Sequence, residues 1–245
     1  TAAVVLAREL EQARYIEKSI QEYRSELPPG RLHGGEAIRR DAALWAGADA
    51  SGYRPFKKRK RLETDEPTLT VGIMCDTSGS MKWVQPGVGS AVWVLAEAVY
   101  RTGDATAAQV YFGSHVDVGL HAGERLREVR QWTGGGGYED FDKGFRALDG
   151  ELNLLAGDGA RILFVIFDGD FKTGQIDACD KWIKACSKKG VAVVWLQLRG
   201  QVASYDPSVE VVDVDPDDLL SAASVIGQAC VRTLASASQR NAGGG

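Results

Sequence analysis

The chain has 245 residues, with 44% hydrophobic, 25% charged and 8% aromatic side chains. That balance excludes a disordered tail, a coiled coil and a collagen-like rod. A net charge of −4 and a pI near 5.5 give the whole chain no polycationic footprint, so a nucleic-acid partner is not expected. No apolar run approaches the roughly 18 residues that span a bilayer, and no membrane partner is expected. The opening AAVVLA meets Arg8 and Glu9 too soon for a signal-peptide core. Cys75, Cys179, Cys186 and Cys230 form no CxxC, and none of His33, His115 and His121 stands at ligand spacing from them. Cys179 and Cys186 lie seven apart, on one helical stripe with Ile176 and Ile183. Reduced, core-filling thiols and a cytoplasmic location are expected.

In chain order, Leu6, Leu10, Ala13, Ile16, Ile20, Tyr23 and Leu27 recur at intervals of three and four and predict a helix over 2–27, ended by Pro28-Pro29-Gly30. A shorter helix is predicted around Glu36–Trp45. The run Lys57-Lys58-Arg59-Lys60-Arg61 is followed at once by Glu63, Asp65 and Glu66, which predicts a solvated connector. From Thr68 strands and helices alternate. Thr68–Cys75 is an apolar strand that runs into Asp76, and Val88, Val92, Leu95 and Val99 form the stripe of a helix over 88–101. Gln109–Phe112 is a short strand with His115–Leu120 as its hairpin partner or a sheet edge, and 141–148 is helical. Arg161–Phe167 is wholly apolar, as befits a strand buried on both faces. A helix at 174–188, an apolar strand at 191–198, a short strand at 209–212 and a last helix opening at Asp215-Pro216 complete the order. The predicted fold is a doubly wound, mostly parallel α/β sheet with a helical extension and basic linker over 1–66, the α/β domain over 67–236 and a flexible tail over 237–245.

Ligands of open α/β sheets bind beyond the carboxyl ends of the strands. Two strand ends here carry acid: Asp76-Thr77-Ser78-Gly79-Ser80, and Asp168-Gly169-Asp170 after Phe167. Between them in sequence lies the glycine-rich stretch Thr133-Gly134-Gly135-Gly136-Gly137-Tyr138-Glu139-Asp140. Carboxylates and hydroxyls without His or Cys suit a hard cation such as Mg²⁺, with Mn²⁺ or Ca²⁺ as alternatives. Turn and helix capping by Asp76, Ser78, Ser80 and Asp168 is the competing structural role. Trp83, Tyr138 and Asp140 would form the partner-binding rim of the site, where exposed aromatics anchor a partner, and burial of Trp83 under its own loop is the equal alternative.

Asp76-x-Ser78-x-Ser80 after an apolar strand, a glycine-rich loop and Phe167-Asp168-Gly169 together resemble the metal-ion-dependent adhesion site of von Willebrand factor A domains, over roughly residues 67–236. The resemblance implies that Ser78 and Ser80 bind the metal directly, that Asp76 and Asp168 act mostly through water, and that an open coordination position accepts an Asp or Glu of a partner protein. The family's glycine-rich motif usually ends in threonine. Here Thr133 precedes the glycines, so either Thr133 or one of Glu139 and Asp140 would supply that ligand. Pro29-Gly30-Arg31-Leu32 and Phe56-Lys57-Lys58 are similar to the segment ahead of the same domain in the von Willebrand subunit of cobaltochelatase and in partners of MoxR-type AAA+ ATPases.

Enzymatic readings lack their residues. A haloacid-dehalogenase phosphatase needs a second Asp where Ser78 stands, a P-loop needs GK[ST], and a nucleophile elbow needs GxSxG. His115 alone makes no catalytic pair. The expected function is therefore a non-catalytic, Mg²⁺-dependent protein-binding module, the adaptor or substrate-recruiting partner of an AAA+ ATPase or a chelatase-like subunit. The alternative is a structural or adhesive assembly component.

Overall fold

Three apolar runs, 69–76, 160–167 and 192–198, lie side by side as neighbouring parallel strands. The computed structural model describes residues 2–16, 21–60, 68–132, 140–167, 175–198, 209–215 and 218–243. Its elements are α1 (Ala2–Ile16), β1 (Gln21–Ser25), β2 (Arg31–Leu32), α2 (Gly34–Trp45), β3 (Phe56–Lys60), β4 (Leu69–Asp76), α3 (Gln85–Arg101), β5 (Ala105–Phe112) and β6 (Val116–Leu120). They continue with α4 (Phe141–Leu152), β7 (Ala160–Phe167), α5 (Gln175–Lys188), β8 (Ala192–Leu198), β9 (Glu210–Val214) and α6 (Leu219–Gly243). The chain divides into two compact units, one of residues 1–17 with 66–245 and one of residues 18–65.

The larger unit is built on a six-stranded sheet in the order β6-β5-β4-β7-β8-β9, parallel except for the antiparallel edge pair β5–β6. Every residue of β7 is buried, because helices cover both faces of the strand. Side chains alternate between two cores. Val71, Ile73 and Cys75 of β4 join the core that contains α1, α3 and α6 residues, while Met74 joins the one with Phe141, Phe145 and Cys179 from α4 and α5. On that second face Gly72 leaves room for the α4 layer: a Cβ there would lie 2.7 Å from Leu148 Cδ2. The fold class read from the sequence is the one observed.

Helix α1 packs against α3 and α6, with Leu6, Leu10 and Ala13 fully buried. The approach to α6 is so close that a Cβ on Gly227 would fall 2.4 Å from Glu9 Cβ. The helix predicted over 2–27 is, however, too long. It ends at Ile16, and residues 21–25 form β1 instead, because their backbone groups find partners in β3 across a long sequence separation. The basic run is corrected likewise. Lys57–Lys60 is not a solvated connector but part of the central strand of a three-stranded antiparallel sheet, β1-β3-β2, in the smaller unit. Arg61 lies outside the described residues. The 1–66 extension is thus divided, since α1 belongs to the α/β unit and residues 18–65 form their own. Helix α6 continues to Gly243, into the stretch expected to be a flexible tail. Of the proposed α5 stripe, Cys179, Ile183 and Cys186 are buried, whereas Ile176 is 46% exposed.

Candidate metal centre

Strand β4 delivers Asp76 to the carboxyl edge of the sheet with no exposed surface. Its Oδ1 accepts the Ser78 N–H at 2.7 Å and its Oδ2 accepts the Ser78 hydroxyl at 2.8 Å. The turn that makes this possible is a short 3₁₀ segment, Gly79–Trp83, whose first flanking residue is Ser78 at φ −60° and ψ 165°. Met81 anchors the segment from below, fully buried. Ser78 makes no side-chain cap to this turn. Its hydroxyl instead lies between Asp76 Oδ2 and the Ser80 hydroxyl, 2.9 Å away. Asp76 does serve the turn locally, but helix capping does not account for the two serines. Ser78 is only 2% exposed, whereas Ser80 faces outward.

Three oxygens therefore stand in a row with edges of 2.8 and 2.9 Å. In an octahedron with metal–oxygen bonds of about 2.0–2.1 Å, adjacent oxygens are about 2.8–3.0 Å apart. The donor set is all-oxygen and its spacing fits a small hard cation. Among the described residues no three His, Cys, Asp or Glu side chains gather at one point.

Neighbouring loops close the same edge. The Thr77 N–H and hydroxyl both donate to the Phe112 carbonyl at the end of β5, at 2.9 and 3.2 Å. A Cβ on Gly113 would come within 2.5 Å of Thr77 Oγ1, so glycine permits the approach. The Asp140 N–H donates to the Gly113 carbonyl at 3.4 Å, which returns the chain to this edge before α4. The Asp140 carboxylate caps α4 at Lys143 N (3.1 Å) and pairs with Lys143 Nζ at 2.7 Å. Asp140 thus caps α4 in this structure. Strand β7 runs parallel to β4 with Ile166 beside Cys75, so its last residue, Phe167, ends level with Asp76. Asp168, Thr133, Tyr138 and Glu139 lie outside the described residues, as does the side chain of Trp83. Next to Asp76, burial and then the Asp76 charge push the Cys75 thiol well above its ordinary value.

Sequence reasoning missed the residues that hold the segment ahead of Thr133. Glu97 of α3, 2% exposed, accepts bidentate hydrogen bonds from Arg125 (3.1 and 2.9 Å) and one from Arg101 (2.9 Å). Burial alone would raise its pKa, but the two guanidinium groups hold it below the usual carboxylate range. Trp132 packs against Tyr111 with ring centroids 5.1 Å apart and the planes tilted by 38°. An acid within the otherwise apolar VLAEAVY run of α3 was the signal available.

No protein-family model matches the chain, and no curated protein matches it either. Solved structures do. Proximal thread matrix protein 1 from the mussel byssus superposes with a TM-score of 0.51 at 14% identity, over 68% of this chain and 48% of that one. Its form with a zinc-occupied MIDAS motif gives 0.51 at 15% identity over the same shares. The pilus adhesin SpaC from Lactobacillus rhamnosus GG gives 0.52 at 12% identity, over 70% of this chain and 31% of that one. The fold is that of a von Willebrand factor A domain. The chain spans about half the length of the mussel protein, and at these identities the likeness concerns the fold alone.

Proposed function

We propose that this chain is a protein-binding module rather than an enzyme, and that its von Willebrand factor A unit holds Mg²⁺ and takes an Asp or Glu of a partner protein. The Ser78 and Ser80 hydroxyls, 2.9 Å apart as adjacent ligands of an octahedron would be, with Asp76 hydrogen-bonded to Ser78 on the carboxyl edge of the sheet, carry this reading. Ser78 and Ser80 are the direct ligands, Asp76 acts through water, and Thr133 and Asp168 complete the set. When bound, the ion supplies a positive charge and one exchangeable coordination position. Asp76, held by the Ser78 N–H, orients the Ser78 hydroxyl. Ser80, on the exposed side, lies where a partner arrives. The rim is formed by Trp83 and Tyr138.

The partner in this reading is a hexameric MoxR-type AAA+ ATPase in the cytoplasm, with the chain as adaptor or chelatase-like subunit. Support comes from Pro29-Gly30-Arg31-Leu32 and Phe56-Lys57-Lys58, and, for a reducing compartment, from four free buried thiols. A second reading, an adhesive or structural assembly component, is favoured by the shared fold with a thread matrix protein and a pilus adhesin.

Calorimetric titration with Mg²⁺ tests the site, and co-purification with nucleotide present separates the two roles. A Ser78→Ala, Ser80→Ala variant should lose both the ion and the partner. A hexameric ATPase in the complex favours the adaptor, and self-assembly favours the structural component. Partner affinity that ignores EDTA and the double substitution would refute the metal-dependent reading.

A further inference from the structure

The segment that joins β6 to the glycine-rich stretch is held almost wholly by side chains. Residues 125–131 make no backbone–backbone hydrogen bond with another described residue. Leu126 is buried, whereas 127–131 face solvent. Arg125 ties one end through its bidentate bonds to Glu97 of α3. Arg130 ties the other, its guanidinium donating to the Gly119 carbonyl at 2.7 Å. Gly119 is the extra residue of a bulge in β6, since Gln109 pairs with Leu120 and Val110 with Val118. A bulged residue stands outside the strand ladder, which leaves its carbonyl for Arg130.

Gly89, Trp93 and Glu97 stand four residues apart on one face of α3. The segment crosses this face from Glu97, which Arg125 holds, to Gly89, where a Cβ would lie 2.9 Å from the Arg130 carbonyl oxygen. On the sheet side Trp132 packs against Tyr111, and Gln109 lies two residues before Tyr111 on the same face of β5. Polar groups on both sides of the segment are left unmet. Trp93 Nε1 and both polar atoms of the fully buried Gln109 side chain have no partner at hydrogen-bond geometry. Such groups are costly when buried, and that cost falls when water reaches them. Opening the segment gives up the burial of Leu126 and the two arginine ties, and hydration of an amide and an indole offsets part of that loss.

We infer that residues 125–132 form a strap that opens and closes over Trp93 and Gln109, and that Glu97, Arg125 and Arg130 are positioning residues that hold it closed for the metal centre. The inference rests on the proposed function, in which Thr133, the residue after Trp132, is a metal ligand. A segment with few buried apolar groups and no backbone hydrogen bonds opens at low free energy. In the open form Trp132 no longer fixes the start of the glycine-rich stretch, so Mg²⁺ affinity is reduced by the fraction of chains that are closed. Linkage makes the effect reciprocal: Mg²⁺ favours closure by the same factor with which closure favours Mg²⁺.

The test uses the full chain, with calorimetric titration of Mg²⁺ and cleavage after the exposed Glu128 by a glutamate-specific protease, read by mass spectrometry. Cleavage reports the open population. Mg²⁺ should slow it at least about fivefold in the wild type, and should leave it unchanged in Ser78→Ala, Ser80→Ala. Arg125→Gln with Arg130→Gln should speed cleavage and weaken Mg²⁺ binding about tenfold. Glu97 keeps its pair with Arg101 in that variant. Gln109→Met replaces the buried amide with an apolar side chain of similar size. It should slow cleavage and tighten Mg²⁺ binding, a sign that general destabilisation does not produce. A wild type that binds no Mg²⁺ refutes the metal reading and the inference with it. Mg²⁺ bound equally well by the wild type and the arginine variant, cleavage that ignores bound Mg²⁺, or weaker Mg²⁺ binding in Gln109→Met would overturn the strap alone.

Discussion

Replacing Ser78 with alanine removes one hydroxyl and leaves the turn otherwise intact. Without metal, that hydroxyl donates to the fully buried Asp76 carboxylate at 2.8 Å and lies 2.9 Å from Ser80. Asp76 would keep the Ser78 N–H at 2.7 Å. A hydrogen bond to a charged group contributes about 1.5–3 kcal/mol. A domain of this size shifts its Tm by about 2–4 °C per kcal/mol, so the loss in EDTA should be about 3–12 °C. Magnesium at a hundredfold excess over Kd should stabilise the wild type by about 2.7 kcal/mol, or about 5–11 °C. On the proposed reading, in which Ser78 is a direct ligand, the variant should show almost none of that rise. Thermal unfolding followed by circular dichroism, in EDTA and in millimolar Mg²⁺, separates the two effects. Should Ser78→Ala melt lower yet gain as much from Mg²⁺ as the wild type, Ser78 is only a turn residue and the ion sits elsewhere.

Glu97→Gln should cost about 1–3 kcal/mol, since it weakens three charge-assisted bonds at a buried carboxylate. The folded pKa of Glu97 lies below its ordinary value, so its contribution is present above the ordinary Glu range and is lost as pH falls through the folded value. Denaturant midpoints between pH 7 and pH 3 should therefore fall less steeply in Glu97→Gln, and parallel curves would contradict the clamp. Leu6→Ala, fully buried between α1 and the rest of the larger unit, should lower stability by about 2–5 kcal/mol in urea unfolding; a change near zero would mean that α1 is dispensable. Burial pushes the Cys186 thiol up to about 12, the Asp149 charge adding to it, and raises Cys179 and Cys230 as well. These three should resist a thiol-reactive dye at pH 8 in the native protein and react at once in guanidinium. Rapid native labelling would show that they are accessible.

The continuous apolar runs of β7 and β8 were legible because a strand buried on both faces needs no polar alternation, and Asp76 marked where β4 leaves the core. The Ser-x-Ser spacing was enough to bring the two hydroxyls near that acid. That Ser78 turns inward while Ser80 stays exposed was not local information: it depends on Met81 filling the space under the 3₁₀ turn and on Thr77 being tied to Phe112, 35 residues away. Asp140 read as a substitute ligand, and its role as the cap of α4 became visible only from its bond with the Lys143 N–H. Residues 17–27 extended the helical repeat on paper, since Ile20, Tyr23 and Leu27 fit its spacing. The extended pairing of Gln21–Ser25 with Phe56–Lys60 prevailed because backbone hydrogen bonds to a distant strand are invisible to a local periodicity. The same pairing turned a charge run that reads as solvated connector into a central strand, and set Arg24, Lys57 and Arg31 in a row that no stretch of the sequence contains.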